Sequence, residues 1–278
     1  MAKLRLGSSI GTISSLGFKD GRYHYAVRED LKDKLNKARE LGFDTVDVNL
    51  CSTYNPFDLE QLLDEILFSI KSSGVKVNAF HMPFGTPWSD LTCPWDSDRQ
   101  EIIKWILKII GKTSVVDPYA YNFHPGAYNF SPSERKAGLM RLCDTATTLA
   151  RSTDKVICIE NMVRGNLLSR TENLEELIEN SEGVKIVLDL NHLLLDDCAD
   201  AIRKLGKNIA TLHVSDCDFI NERHELPGNG KINWNNVLSA LESVGYEGVF
   251  NYEVLGKYTL EEIKQNYENL VKAYNSSK

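Results

Sequence analysis

Long hydrophobic runs are absent from this chain. No stretch approaches about 18 uninterrupted apolar residues, the length a membrane-spanning helix requires, and the opening segment MAKLRLGSSIG has no apolar core ahead of a cleavage site. The expectation is a soluble cytoplasmic protein with no membrane partner. Paired cysteines are missing too. Cys51, Cys93, Cys143, Cys158, Cys198 and Cys217 form no CxxC pair and no dense framework, so the fold needs no disulfide and suits a reducing compartment. Excess positive charge is lacking: 32 Lys and Arg stand against 39 Asp and Glu, for a net charge of −7 and a pI near 5.5. That balance offers no global attraction to nucleic acid or to anionic lipid. No GxGxxG turn follows the first strand-like run, and no Pro-, Gly- or Ser-rich linker divides the chain, which argues against a doubly wound nucleotide-binding sheet and against two domains.

What is present is alternation. At 278 residues and 42% hydrophobic, the chain can bury a sizeable core. Short apolar runs at 4–10, 45–50, 75–81, 119–124, 156–160, 185–189, 209–214 and 249–254 read as strands buried on both faces. Amphipathic stripes separate them: Leu31, Leu35, Ala38 and Leu41; Leu139, Leu142, Ala146 and Leu149; Leu260, Ile263, Tyr267, Leu270 and Val271. Gly42, Gly74 and Gly245 mark helix ends, while Ser131-Pro132 and Thr171-Glu172 mark helix starts. Eight βα units over this length predict an α/β fold, a single (β/α)8 TIM barrel spanning 1–278.

Several strands end on a residue able to bind a metal or move a proton: YNFH on His124, ICIE on Glu160, IVLD on Asp189, ATLH on His213 and FNYE on Glu253. In a parallel barrel the strand C-termini share one face, so these residues converge. Glu160, Asp189, His213 and Glu253 together offer three carboxylates and an imidazole, a donor set for Mn²⁺, Mg²⁺, Co²⁺ or Zn²⁺. Burying those carboxylates together without a cation would cost desolvation and repulsion. His81 and His124 close the third and fourth strands, His192 follows Asp189 in LDLNH, and only His24 falls away from a strand end. Two long connections sit on the same face. Residues 82–98 carry Phe84, Trp88 and Trp95, an aromatic wall or lid. Residues 215–231 carry Asp216, Glu222, Arg223 and His224.

The segments FHMPF, NFHPG, IENM, LDLNH, LHVSD, RHELPGNGKINW and YEV resemble the xylose-isomerase-like TIM-barrel superfamily over nearly the whole chain. That superfamily includes sugar and sugar-phosphate isomerases and epimerases, dehydratases of polyols, and the endonuclease IV type of abasic-site nuclease. The ketose 3-epimerase branch implies one metal on Glu160, Asp189, His213 and Glu253, with Glu160 and Glu253 as catalytic residues exchanging a proton beside a polarised carbonyl. It implies His192 as a substrate contact. Phe219 stands where that branch usually carries an arginine, which leaves Arg223 as a replacement contact to a phosphate or carboxylate. The endonuclease IV branch implies a zinc cluster, with counterparts in type and order at His81, His124, Glu160, Asp189, His192, His213, His224 and Glu253, and Glu222 in place of an aspartate. The first strand-end loops, SLGFKDGRYHY and CSTYNPFD, carry few cations for gripping a duplex.

The leading expectation is therefore a metal-dependent isomerase or epimerase of a sugar or sugar phosphate. A zinc phosphodiesterase on abasic DNA is the rival, and a sugar or polyol dehydratase or a sugar-binding barrel without catalysis stands behind it. Substrate contacts are expected from His81, Trp88, His192, Asp216, Arg223 and His224. Asp216 and Asn161 have capping as their alternative role, and Trp234 in KINW reads as a core anchor at a helix start. A homo-oligomer is compatible with the sequence, which does not specify one.

Overall fold

In the computed structural model, which describes residues 4–20, 22–50, 56–126 and 130–277, strand β1 (Arg5–Gly11) pairs in parallel on both sides, with β4 (Thr45–Asn49) and with β10 (Val249–Tyr252). Between those two run β5 (Val77–His81), β6 (Ala120–Phe123), β7 (Val156–Glu160), β8 (Val184–Asp189) and β9 (Ile209–Val214), each hydrogen-bonded to the next, so the sheet closes into an eight-stranded barrel. Helices α1 (Leu31–Glu40), α2 (Pro56–Ser73), α3 (Asp96–Thr113), α4 (Pro132–Arg151), α5 (Thr171–Glu179), α6 (Cys198–Leu205), α7 (Trp234–Ser243) and α8 (Leu260–Ser276) alternate along the chain with the barrel strands. The predicted (β/α)8 barrel is the fold. No helix among the described residues is long and apolar enough to cross a membrane. Cys51 and the loop 51–55, read above as poor in cations, lie outside the described residues.

Local sequence explains these elements. In α1 the stripe Leu31, Leu35 and Ala38 is buried against the barrel, and Gly42 leaves the helix with φ +79°, a conformation that favours glycine. Ser131 and Glu134 form a capping box at the start of α4, with Pro132 in its first turn; Thr259 and Glu262 do the same for α8. Burying a leucine such as Leu35 or Leu142 is worth about 2 to 5 kcal/mol against alanine. Gly7 lets β1 approach β10, since a Cβ there would stand 2.5 Å from Val249 Cγ1 and 2.9 Å from Asn251 Oδ1.

The barrel interior has an apolar layer of small side chains, Ala79, Ala120, Cys158, Val187 and Ala210. It also holds buried polar residues, Asp47, Asn78 and Asn122 among them. Trp234 is buried at the start of α7 with its ring edge-on to Phe250, as a core anchor should be.

Three features depart from expectation. Strands β6 and β10 stop at Phe123 and Tyr252, so His124 and Glu253 sit one residue beyond the strands rather than on them. The segment after β1 is not a simple loop but an antiparallel hairpin of β2 (Ile13–Lys19) and β3 (Arg22–Val27). Asp20, just after β2, takes φ +52°, and Asp20-Gly21 in the sequence is a hairpin signal. His24 belongs to β3, where its Nε2 lies 3.0 Å from the Lys19 carbonyl, far from the other histidines' chemistry.

Candidate metal centre

At the C-terminal ends of β7, β8, β9 and β10, donor atoms of Glu160, Asp189, His213 and Glu253 all lie within 4.8 Å of one another. His213 is fully buried, and its Nδ1 stands 3.0 Å from Glu160 Oε1 and 2.9 Å from Glu253 Oε2. Asp189 Oδ1 accepts the backbone N–H groups of Asn191 and His192 at 2.7 and 3.2 Å. Its other oxygen, Oδ2, is buried and has no hydrogen-bond partner. His192 Nδ1 stands 3.5 Å from it, and such an oxygen in a group of three carboxylates and one imidazole is donor chemistry that would suit Mn²⁺, Mg²⁺, Co²⁺ or Zn²⁺.

The four residues shift one another's ionisation. Burial opposes ionisation of Glu160, but the charge and hydrogen bond of His213 and the hydrogen bond of His81 outweigh it and hold the carboxylate well below its usual range. Desolvation opposes ionisation of Glu253 too, although its side chain is 18% exposed, and His213 brings it to about 2. Asp189 goes the other way: burial, with repulsion from Glu160 and Glu253, lifts it to about 6 against the weaker pull of His192. Burial disfavours the imidazolium of His213, yet Glu253 and Glu160 raise its pKa well above normal. The two glutamates and His213 thus favour one another's charged forms.

Five further residues surround this group. His81 donates Nδ1–H to the Met82 carbonyl at 3.0 Å and turns Nε2 to Glu160 Oε2 at 3.1 Å. His124 Nε2 lies 3.5 Å from the same oxygen, and its ring stacks on Phe84 with centroids 3.9 Å apart. Burial outweighs the Glu160 charge at His124 and pushes its pKa down to about 3, so the ring is neutral. His192, Glu222 and His224 make a second donor group. There His192 Nδ1–H donates to the Asn161 carbonyl at 2.9 Å while Nε2 faces Glu222 at 3.2 Å. Asp189, the hydrogen bond of Glu222 and the charge of Glu160 overcome burial and raise His192 to about 10.

Asn161 ties two of the strands that carry donors. Its side chain donates to the Asp189 carbonyl at 2.9 Å and accepts the Asp189 N–H at 2.7 Å, so it locks the end of β7 to the end of β8 instead of reaching a substrate.

Other expected contacts are corrected. Asp216 is fully buried and both its oxygens are saturated: Oδ1 accepts from the backbones of Cys217 and Ile232 at 2.9 and 3.1 Å, and Oδ2 from Gly228 N–H and Trp234 Nε1–H at 2.8 Å each. It organises the 215–231 loop, and no lone pair remains for a substrate. Gly230 packs against it so closely that a Cβ would collide with the Asp216 carboxylate. The Arg223 guanidinium is committed to Asp218 Oδ2 at 2.7 Å, so it is not a free anion contact. Trp88 is 45% exposed and is not part of the wall of the cavity of about 290 Å³ beside His124, which Phe84 lines. A larger cavity of about 930 Å³ opens between the ends of β1 and β10 and the start of α8, and Glu253 contributes to its wall.

The sequence reading missed Asp47, which lies fully buried beneath His213. A charged residue inside the otherwise apolar run TVDVN was the available signal.

Residues 35–273 match the family model described as xylose isomerase-like TIM barrel. The chain belongs to that family. Among curated relatives of this xylose isomerase-like barrel, a D-psicose 3-epimerase of Enterocloster bolteae is 24% identical over 251 residues, covering 84% of this chain and 80% of the relative. The barrel also superposes on a 3-keto-D-glucoside 4-epimerase from E. coli with a TM-score of 0.72 at 18% identity, covering 97% of this chain and 100% of that one. A protein described as AP endonuclease, family 2, from Brucella melitensis superposes with a TM-score of 0.69 at 17% identity, covering 97% and 99%. At those identities the structural likeness concerns the fold.

Proposed function

We propose that the protein is a divalent-metal-dependent sugar epimerase or isomerase, with Glu160 and Glu253 as the proton-transferring pair. The observation that carries this reading is the convergence of Glu160, Asp189, His213 and Glu253 at the strand ends, with the carboxylates of Glu160 and Glu253 both approaching His213 Nδ1. The D-psicose 3-epimerase relative, matched over most of both chains, supports it. Glu160, Asp189, His213 and Glu253 would hold the cation, whose charge polarises a carbonyl and its neighbouring hydroxyl.

The chain's own groups then supply the proton chemistry. Glu160 and Glu253 are held low by His213 and stay ionised at neutral pH, as a proton acceptor must. The ionised member of the pair would take the proton from the carbon next to the carbonyl, while the other, having picked up a proton from solvent, would deliver it from the opposite face and so invert that centre; the first glutamate then gives its proton up to solvent. His192 Nε2, which faces the half-exposed Glu222 at 3.2 Å, would hold a substrate oxygen when Glu222 gives way to it. Phe84 and the neutral His124 ring form an apolar wall that limits water at the reacting carbon.

The test is incubation of metal-loaded protein with a panel of ketohexoses, ketopentoses and their phosphates in D₂O. Deuterium appearing at the carbon next to the carbonyl, together with a new epimer or isomer, is the expected result; loss of both in Glu253→Gln completes it. No exchange with any ketose would sink the reading. The second donor group, His192, Glu222 and His224, favours one alternative, a polynuclear zinc phosphodiesterase. Cleavage of an abasic-site oligonucleotide by the zinc-loaded protein would establish that instead.

A further inference from the structure

The interior of a TIM barrel is ordinarily filled by branched apolar side chains. Here the middle of β4 places a carboxylate inside it. Asp47 is fully buried; its Oδ1 accepts from Asn78 Nδ2 at 2.8 Å, and its Oδ2 from Asn122 Nδ2 at 3.4 Å. Both partners are neutral amides, which satisfy hydrogen bonds but do not neutralise a charge. Among the described residues the basic side chain that contacts Asp47 is His213, with Nε2 3.6 Å from Oδ2. A buried carboxylate without a specific task is an expensive element for a fold to keep.

His213 therefore spans two acidic surroundings. Nδ1 faces Glu160 and Glu253 at the open end of the barrel, and Nε2 faces inward to Asp47. A cation among the strand-end carboxylates requires the lone pair on Nδ1, so the remaining ring proton must sit on Nε2. The opposite tautomer is also accommodated: an unprotonated Nε2 would accept from Asn122 Nδ2 at 3.3 Å, and an Nδ1–H would then point at Glu160 and Glu253 and close the position to a cation. Something has to choose between the two.

We propose that Asp47 is the positioning residue that makes this choice, holding the Nε2–H of His213 from inside the barrel so that Nδ1 is offered to a divalent cation. This rests on the metal-dependent reading above and adds a residue that touches neither cation nor substrate. The separation of 3.6 Å is longer than a hydrogen bond, and the proposal requires it to shorten when the cation is bound. Carboxylates in this position behind metal-bound histidines fix ring orientation and strengthen the donor, and removing one typically weakens metal affinity about 10- to 100-fold.

The experiment uses full-length protein stripped with chelator and refilled with Mn²⁺ for calorimetric titration and Zn²⁺ for NMR. In the wild type, long-range ¹⁵N–¹H spectra of the zinc-loaded protein should show His213 protonated at Nε2 and metal-bound at Nδ1. Asp47→Asn, which keeps the volume and removes the charge, should weaken Mn²⁺ binding about 10-fold or more and shrink the metal-induced rise in melting temperature. Wild-type uptake with an Asp47→Asn affinity within about twofold overturns the assignment and leaves the metal reading standing, as does a wild-type spectrum with the proton on Nδ1. Wild-type protein that takes up neither cation removes both. The NMR measurement needs no variant, so misfolding of Asp47→Asn does not shelter the proposal.

Discussion

His192 points Nε2 at the Glu222 carboxylate from 3.2 Å, joining a buried imidazole to a half-exposed acid. The pair is built differently from the deeper group, where every donor comes from or just beyond a barrel strand. Glu222 rides on the 215–231 loop, and a site completed by a loop side chain holds a metal less firmly than one completed by strand ends. Elemental mass spectrometry of protein purified without chelator should find about one tightly held divalent cation per chain, unchanged in His224→Ala. Two to three zincs per chain would point to the phosphodiesterase reading.

Replacing either glutamate by glutamine separates chemistry from folding. Glu160→Gln and Glu253→Gln keep shape but remove the proton acceptor, a contribution typically worth about 10²- to 10⁴-fold in rate. Turnover should fall by at least about 10²-fold in each, with far-UV circular dichroism unchanged. Glu253→Gln at wild-type activity would remove Glu253 from the reaction.

Cation uptake should depend on pH in a definite direction. Asp189, raised to about 6, carries a proton in the metal-free protein below that pH, and a cation must displace it. Affinity should therefore drop as pH falls through about 6, and titration at neutral pH in buffers of different ionisation enthalpy should register proton release from His213, whose pKa lies well above normal. For the metal-free fold the signs differ by residue. Asp189 holds a proton that the unfolded chain has lost between about pH 4 and 6, so its contribution to stability declines as pH rises across that window. Glu253, lowered to about 2, contributes fully above the ordinary glutamate range and loses that contribution as pH falls toward 2. A metal affinity flat from pH 7 to 5 would contradict the Asp189 assignment.

Asp216→Asn tests the loop rather than the chemistry. The asparagine retains one acceptor oxygen and presents its amide nitrogen to two of the four N–H groups now satisfied by the carboxylate, Trp234 Nε1–H among the candidates. Stability should drop by about 2 to 4 kcal/mol in denaturant titration. A loss under about 0.5 kcal/mol would show that the carboxylate does not hold the loop.

The barrel was legible because its strands are buried on both faces and announce themselves as apolar runs, as in VICIE and ATLH. The four central donors were legible for a related reason, since topology alone brings strand ends together. The β2–β3 hairpin was not, because SSLGF alternates weakly and leaves Leu16 and Phe18 exposed, so no periodic stripe betrays it. Asp216 misled for a different reason. The motif HVSD sets it three residues past His213, and only the return of Gly228 and Gly230 onto its carboxylate, decided by the fold of the whole loop, turns it inward. Asp47 was marked only as a charge inside a strand, because parity along that strand does not say which inward position meets a histidine from another strand.

The Asn161 clamp bears on which ions the protein would accept. With β7 and β8 fastened by two amide hydrogen bonds beyond their ladder, the oxygens of Glu160 and Asp189 do not spread independently of the strands that carry them. Calcium takes six to eight oxygens at about 2.3–2.6 Å in pliant surroundings, whereas magnesium and its transition-metal relatives accept shorter bonds and tighter geometry. With the strands fixed, room for a larger ion would have to come from rotation of the carboxylates alone, so a cation held by this group would be expected to be one of the smaller ones.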